Sequence, residues 1–254
     1  FHWQFHPAAH RFRAVLESGQ YGRILRTRAI MTASPGVPEG DIRWQFDLAG
    51  GSAMDMTYAL SFTRYALRAG KPSRIHSVTM RPHAMDPDVD EAMYAYLSFP
   101  RTGSSGKEGE GEEVQSSIYT DMARSWIGGV LPRFWEFPSI EVEMEKAVVY
   151  FYNAMMPHLY HFIQVVEKET GRVVWLRQYS GGPVWGDVMT SAGKGGRKGW
   201  STYRWQLEAF IERVMGREPA CWVTGEESVV QMEVIDQLYR AAGMPVRGEG
   251  RKRG

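Results

Sequence analysis

The chain has 254 residues, with 30 Lys and Arg, 29 Asp and Glu and a formal net charge of +1, so it is long enough for a sizeable core. The balanced charge excludes the strongly basic surface typical of proteins that bind nucleic acid or anionic membranes. A single cysteine, Cys221, excludes a disulfide framework and a cysteine-rich zinc site. The lone thiol favours a reducing compartment and no signal-peptide pattern is present, so we expect a cytoplasmic protein.

The first third of the chain predicts a strand, a helix and a second strand. Aromatic residues alternate over residues 1–5, which is typical of a strand already under way. Because chain ends fray unless they are held, we expect the sequence to be a piece of a longer protein. Pro7 suits the first turn of a helix over residues 8–16, and a strand is predicted over residues 24–32. A loop rich in Pro, Gly and Ser follows over residues 34–40.

The clearest helix is predicted over residues 53–67, which are apolar on nearly all sides. Gly50, Gly51 and Ser52 precede it. We predict Ser52 as the N-cap, with Asp55 as the acidic partner of a capping box.

Short apolar stretches broken by turn residues occupy residues 73–179 and predict a largely antiparallel sheet. The predicted strands cover residues 75–80, 93–99, 116–123, 140–151, 160–166 and 173–179. The Gly-, Ser- and Glu-rich residues 102–113 predict a mobile loop. Helices are predicted over residues 201–215 and 226–242, and residues 247–254 are expected to be a disordered basic tail outside a single domain of residues 1–246.

Most motifs with possible chemistry have a simpler interpretation. The Gly-rich residues 193–199 lack the spacing and the preceding strand of a dinucleotide-binding turn, which favours a flexible loop. His2, His6 and His10 recur every four residues, but Pro7 interrupts the series, and we expect no metal site. His158 and His161 are predicted on opposite faces of a strand. Cys221 is predicted to be a buried structural thiol.

Asp55 and Tyr58 remain the best candidate pair for chemistry. They lie three residues apart at the start of the predicted buried helix, directly after a double glycine. Their spacing alone leaves two interpretations open, because a helix start commonly carries an aspartate for capping as well as for catalysis.

Five segments in order resemble the C-terminal domain of the Gfo/Idh/MocA oxidoreductases. Residues 1–8 (FHWQFHPA) resemble the aromatic-HP segment that enters this domain, residues 21–24 (YGRI) resemble the entry to its next strand, and residues 48–56 (LAGGSAMDM) resemble its GGGxLxDxG element. Residues 203–210 and 236–243 resemble its two closing helices. The resemblance runs to about residue 246 and is nearest to the branch of D-xylose 1-dehydrogenases and trans-dihydrodiol dehydrogenases.

The resemblance implies an α+β fold: a large, open, mostly antiparallel sheet with helices on one face, and no Rossmann domain in this chain. It implies the substrate-binding domain of an NAD- or NADP-dependent dehydrogenase of a sugar or related alcohol, often paired as a homodimer through the sheet. It makes Tyr58 the candidate general acid/base beside Asp55, and Arg43 and Tyr203 substrate-binding residues.

Two departures from the family pattern affect these implications. The family places its Tyr or His four residues after the aspartate, whereas Tyr58 comes three residues after Asp55, which would rotate it by about 100° on a continuous helix. The family's Gly-rich dinucleotide domain and its Glu-Lys-Pro lysine do not occur in this sequence, so we expect no cofactor binding by this chain alone. The alternative function is a stand-alone remnant of the fold that binds a ligand, assembles with a partner or catalyses a cofactor-free reaction.

Overall fold

The structure of the protein, a computed structural model, describes residues 1–102 and 108–249, with side chains described outside residues 102–111. The helices are α1 (Pro7–Leu16), α2 (Ser52–Asp55), α3 (Tyr58–Leu67), α4 (Gly182–Trp185), α5 (Thr202–Val214) and α6 (Gly225–Ala241). The strands are β1 (Ile24–Thr32), β2 (Arg74–Pro82), β3 (Asp90–Thr102), β4 (Glu108–Asp121), β5 (Ser139–Met144), β6 (Ala147–Tyr152), β7 (Phe162–Glu167), β8 (Val173–Leu176), β9 (Met189–Thr190) and β10 (Gly193–Lys194). Three short 3₁₀ helices cover His2–Phe5, Ile42–Trp44 and Phe46–Leu48.

The chain forms two compact units. Unit 1 comprises residues 1–25 and 139–225, and unit 2 comprises residues 26–138 and 226–254. Both units combine helices with strands that pair mostly in antiparallel fashion, so the predicted α+β class is confirmed at that level. The single domain over residues 1–246 stays a prediction.

Unit 2 contains the strands β2, β3, β4 and β1 in that order. β2, β3 and β4 are antiparallel neighbours, and β1 lies parallel to β4. Helices cover one face of these strands, because Leu60 of α3 and Leu238 of α6 line a small cavity together with Ala95 of β3 and Ile118 of β4. The other face carries Tyr94, which is 43% exposed.

Unit 1 contains the antiparallel strands β5, β6, β7 and β8. Side chains along β6 point alternately to the two faces of the strands. Val149 and Phe151 are fully buried on one face, and the ring centroid of Phe151 lies 5.2 Å from that of Phe12 in α1. Tyr150 and Tyr152 point to the opposite side and are half-buried. Helix α1 therefore covers the inner face of this part of the sheet.

A second apolar cluster in unit 1 contains Phe5, Trp185, Trp205 and Ala209. The indole N–H of Trp185 donates to the carbonyl of Phe5 over 2.8 Å, so the start of the chain is held by a buried hydrogen bond as well as by packing. This environment explains why the predicted strand over residues 1–5 is wrong. All of His2, Trp3, Gln4 and Phe5 are buried in a 3₁₀ helix, which buries both sets of alternating residues, whereas a strand with one buried face would leave one set exposed.

Three other predictions differ from the structure. Residues 140–151 form two strands, β5 and β6, joined by a turn at Glu145–Lys146, because the apolar stretch is interrupted there by two charged residues. Residues 108–113 of the predicted mobile loop belong to β4, and residues 103–107 lie outside the described residues. His158 and His161 lie in the turn before β7 rather than in a strand. The helix at the chain start, β1 and the two C-terminal helices agree with their predictions within one or two residues.

Histidine burial gives unit 1 a predictable dependence on pH. His161 is fully buried, and burial lowers its pKa to about 4. Its two ring nitrogens are bonded in the neutral form, since Nδ1–H donates to the Pro157 carbonyl over 2.6 Å and Nε2 accepts from the Gln178 amide over 3.0 Å. Burial also lowers the pKa of His2 and of His10 to about 4.

We therefore expect stability to fall as the pH falls below 6.5. Unfolded chains then bind protons that the folded histidines do not accept until about pH 4. His161 alone should lower the free energy of unfolding by roughly 2 kcal/mol between pH 7 and pH 5. Urea unfolding at both pH values, with the parent chain and His161→Gln, measures this. The variant should show a smaller loss between the two pH values, and an equal loss would contradict the assignment.

Candidate functional site

The segment that carries Asp55 and Tyr58 is broken between these two residues. Helix α2 ends at Asp55 and α3 begins at Tyr58, with Met56 at φ −94° and ψ 25° and Thr57 at φ −57° and ψ −6° between them. The single helix predicted over residues 53–67 is therefore two helices. The rotation of about 100° expected for Tyr58 assumed a continuous helix, so it does not describe this backbone.

Arg43 and Asp55, which the resemblance made candidate site residues separately, contact each other. The Nε atom of Arg43 donates to Oδ1 of Asp55 over 3.1 Å, and its Nη1 atom donates to Oδ1 of Asp41 over 3.1 Å. The Arg43 side chain is 46% exposed and that of Asp55 is 32% exposed. The Arg43 guanidinium thus contacts two carboxylates at the surface of unit 2.

Burial and a neighbouring charge have opposite effects on the pKa of Asp55. Partial burial raises its pKa above the usual range, and the nearby Arg43 guanidinium opposes that rise. Tyr58 is half-buried, and its ring centroid lies 6.4 Å from that of Phe62 one turn further along α3. Tyr58 is thus partly accessible to solvent.

Tyr203, the fourth predicted site residue, belongs to unit 1. It lies in the first turn of α5, is 62% exposed, and stacks on the ring of His2 with centroids 4.1 Å apart. The Nδ1 atom of His2 is 2.7 Å from the hydroxyl oxygen of Thr202. Residues 2 and 202–203 therefore contact each other within unit 1.

The start of α2 is capped differently from the prediction. Ser52 is the first helical residue, not the N-cap, and its hydroxyl donates to Oδ2 of Asp90 over 2.7 Å. The amide of Ala53 donates to the same oxygen over 2.8 Å. A carboxylate from β3 thus satisfies the free N–H at this helix end. No local signal within residues 50–55 could have identified Asp90, because it is 37 residues from Ala53 along the chain.

Arg247 completes the same buried group. It was predicted to begin a disordered tail, yet its side chain is only 3% exposed. Its Nη2 atom lies 3.2 Å from Oδ1 of Asp90, and its Nε atom donates to the Gly50 carbonyl over 2.9 Å. Tyr239 of α6 also donates to Oδ1 of Asp90, over 2.9 Å. Residues 250–254 of the predicted tail lie outside the described residues.

A cavity on the buried side of this segment is too small for a sugar. It has a volume of about 10 Å³ and is lined by residues that include Ala53, Thr57, Met93 and Ile235. That volume suits at most one water molecule, whereas pockets for small ligands measure hundreds of Å³. The candidate site is therefore the solvent side of the segment, where Asp55 and Arg43 lie.

Cys221 is half-buried rather than buried as predicted. Burial raises the pKa of its thiol to about 12, which makes it a poor nucleophile. No three His, Cys, Asp or Glu side chains form a metal-binding group within residues 1–102 and 108–249. In the same part of the chain, no helix is long and apolar enough to cross a bilayer.

The Gly-rich residues 193–199 and the starts of helices α5 and α6 lack the features of a pyrophosphate site. The pyrophosphate of a dinucleotide needs free N–H groups at a helix start behind a Gly-rich turn that follows a strand. The Gly-rich residues 193–199 instead contain the two-residue strand β10 and a turn before Trp200. Helix α5, which follows, is capped by the Ser201 hydroxyl on the Arg204 amide. Helix α6 carries Glu226 and Glu227 in its first turn, which would repel a phosphate.

The chain is similar to oxidoreductases in sequence and in fold. No family model matches it. It is 26% identical, over 246 residues, to D-xylose 1-dehydrogenase (NADP(+)) 2 of Haloferax volcanii, with 95% of this chain and 61% of that protein covered. Its fold matches aldose-aldose oxidoreductase from Caulobacter crescentus in complex with glycerol, with a TM-score of 0.66, 18% identity, and 96% of this chain and 60% of the other covered.

A third match is a 3-ketoreductase from Actinomadura kijaniata in complex with NADP and TDP-benzene, with a TM-score of 0.66 and 18% identity. The match covers 95% of this chain and 61% of the reductase chain. The predicted resemblance to sugar oxidoreductases is thus confirmed at the level of fold and of one distant relative. The chain spans about three fifths of the length of each of these proteins.

Gly51 tests the polar group at the start of α2. Its φ is +131°, and a Cβ there would collide with Oδ1 of Asp90 and lie 2.7 Å from Nη2 of Arg247. We expect Gly51→Ala to lower the free energy of unfolding by roughly 2–4 kcal/mol, through backbone strain and loss of this group. Gly70→Ala is the matched control, since its Cβ would meet no atom within 4 Å. Chemical unfolding of both variants measures the difference, and equal stabilities would disprove the account.

Proposed function

We propose that this chain is the substrate-binding part of an NAD- or NADP-dependent dehydrogenase that acts on a sugar or a related alcohol. The observation that carries the proposal is the hydrogen bond from Arg43 to Asp55 over 3.1 Å. Asp55 lies three residues before Tyr58, which is partly exposed. The same segment resembles the active-site element of the oxidoreductase family. The distant similarity to an NADP-dependent D-xylose dehydrogenase over 95% of the chain supports it.

In this function the chain's own residues handle the proton and the substrate hydroxyls. Tyr58 exchanges a proton with the reacting oxygen, which requires a lowered phenol pKa because a free phenol near 10 is a poor base at neutral pH. Arg43 and Asp55 offer adjacent donors and acceptors to the neighbouring hydroxyls. Tyr203 belongs to unit 1 and stays a separate proposal as a substrate-binding residue, because its ring is 62% exposed. When bound, the nicotinamide supplies or accepts the hydride.

Replacement of Tyr58 tests the acid/base role. In an enzyme that joins this chain to a dinucleotide-binding domain, Tyr58→Phe should lower kcat by about 10²–10⁴-fold, because the proton donor is lost. Tyr94→Phe is the control, since Tyr94 is 43% exposed on the face of β3 away from the helices. Steady-state turnover of aldoses with NAD and NADP measures both. Unchanged turnover in Tyr58→Phe would assign the proton to another group.

Cofactor binding by this chain alone separates the dehydrogenase from the alternative. We expect residues 1–254 to bind NADPH no tighter than about 1 mM, because the Gly-rich residues 193–199 and the starts of α5 and α6 lack the features of a pyrophosphate site. Titration of NADPH fluorescence measures this, and saturable micromolar binding would contradict it. An in-frame Gly-rich βαβ unit upstream of residue 1 would support the dehydrogenase. An initiator methionine directly before Phe1 would favour a stand-alone ligand-binding or assembly module.

The outer face of the strands in unit 1 supports a homodimer. Tyr152 stacks on Phe162 with centroids 4.8 Å apart, Phe162 contacts Trp175 at 4.9 Å, and Trp175 is 57% exposed. An apolar face of this kind is typical of a surface covered by a partner. A second copy of the chain is the partner proposed for the cytoplasmic enzyme.

Light scattering tests this assembly. The parent chain should have the mass of a dimer at micromolar concentration, and Trp175→Glu should give a monomer, because a charge in the apolar contact must be desolvated. Met85→Glu changes a side chain that is 87% exposed on the loop after β2 and should leave the mass unchanged. A monomeric parent chain would defeat the proposal.

A further inference from the structure

Helix α6 and the residues after it contact both ends of residues 50–58, the segment that carries Asp55 and Tyr58. Near its N-terminal end lie Gly50, Gly51 and Ser52, and near its C-terminal end lies Thr57. All the groups involved belong to unit 2. The contacts are buried, whereas the segment between them faces solvent at Asp55.

At the N-terminal end, the guanidinium of Arg247 makes three hydrogen bonds, one from each of its nitrogen atoms. Nε donates to the Gly50 carbonyl, Nη1 donates to the Pro245 carbonyl over 2.9 Å, and Nη2 reaches Asp90. Its planar group also lies between two rings, with Cζ at 4.6 Å from the centroid of Phe46 and 4.1 Å from that of Tyr239. A planar cation stacked and bonded in this way has a single orientation.

At the C-terminal end, Gln231 of α6 performs the same task. It is 2% exposed, and its Nε2 group donates to the carbonyl of Thr57 over 3.1 Å and to the Thr57 hydroxyl over 2.7 Å. Its Oε1 atom accepts from Nη1 of Arg64 over 2.8 Å, which fixes the orientation of the amide. Thr57 is the residue directly before Tyr58, in the break between α2 and α3.

We propose that Gln231, Tyr239 and Arg247, the brace residues, are positioning residues for Asp55 and Tyr58. The helical hydrogen bonding changes at the break, where the Ala59 amide donates over 3.3 Å to the Met56 carbonyl three residues before it, and the contacts from α6 and Arg247 hold the chain on both sides of this change. None of the three side chains is exposed enough to meet a substrate, since Gln231 is 2% exposed, Tyr239 is fully buried and the Arg247 side chain is 3% exposed. The proposal rests on the proposed function, because Asp55 and Tyr58 gain a role only if this segment serves a reaction.

Hydrogen exchange of this chain tests the brace without any activity. Arg247→Met should raise the exchange rate of amides in residues 50–58 by about tenfold or more, while amides in residues 92–99 of β3 keep their protection. Lys71→Met is the matched control, because Lys71 pairs with Glu233 of α6 over 3.0 Å at an exposed site that does not touch the segment. Unchanged exchange in a folded Arg247→Met chain would overturn the proposal.

Should Arg247→Met fail to fold, Tyr239→Phe and Gln231→Met test the same idea with smaller changes. The first removes one donor to Asp90, and the second removes both hydrogen bonds to Thr57. Faster exchange confined to residues 50–58 supports the brace in either variant, and wild-type exchange in both overturns it.

Turnover of the enzyme that contains this chain distinguishes positioning from general stability. Arg247→Met should lower kcat by about tenfold with KM within twofold, and its effect should be clearly smaller in a Tyr58→Phe background, since part of the effect acts through Tyr58 and the rest through Asp55. An equal loss in both backgrounds would show a merely structural role. If the parent enzyme has no dehydrogenase activity, the proposed function fails, and the exchange rates still decide the brace.

Discussion

The buried carboxylate of Asp90 organises unit 2 around the start of α2. It is fully buried and accepts hydrogen bonds from four groups: the Ser52 hydroxyl, the Ala53 amide, the Tyr239 hydroxyl and the Arg247 guanidinium. A buried charge is tolerated only when it is paired and hydrogen-bonded, and removal of one partner of such a pair typically costs about 3–5 kcal/mol. Three distant parts of the chain, at residues 50–53, 90 and 239–247, must therefore assemble together.

This requirement also explains the glycine pair before α2. A Cβ at Gly51 would enter the space occupied by Asp90, Arg247 and Tyr239, and a Cβ at Gly50 would collide with the carbonyl of Arg43. The backbone must approach these groups closely for the carboxylate to reach the helix end. The same close approach puts Arg43 next to Asp55, so the buried cap and the exposed candidate pair are two sides of one segment.

Unit 1 solves a different problem, since its polar groups are mostly neutral. His161 uses both ring nitrogens, and its ring contacts those of His6, Phe151 and Tyr179. Trp185 and Trp205 pack with centroids 5.0 Å apart beside Phe5. Aromatic packing with few buried charges makes this unit sensitive to the protonation of histidine, while unit 2 depends on an ion pair.

The sequence by itself determined the elements whose cause is local. Pro7 at a helix start, the alternation of β1 and the apolar periodicity and stop signals of α5 and α6 all act within a few residues, and these elements were predicted nearly at their observed bounds. The resemblance of residues 48–56 made Asp55 a candidate site residue and also implied Arg43, which lies outside that segment, but the contact between them depends on the fold. The opening 3₁₀ helix was missed because its four residues are buried from all sides by distant partners.

Only the tertiary structure decided that Asp90 rather than Ser52 caps α2, that α2 and α3 are separate, and that Arg247 is ordered. Each of these features involves contacts between residues at least 37 positions apart: Ala53 with Asp90, Thr57 with Gln231, and Gly50 with Arg247. Local sequence patterns carry no information about such pairs, because long-range burial and hydrogen bonding override local preference.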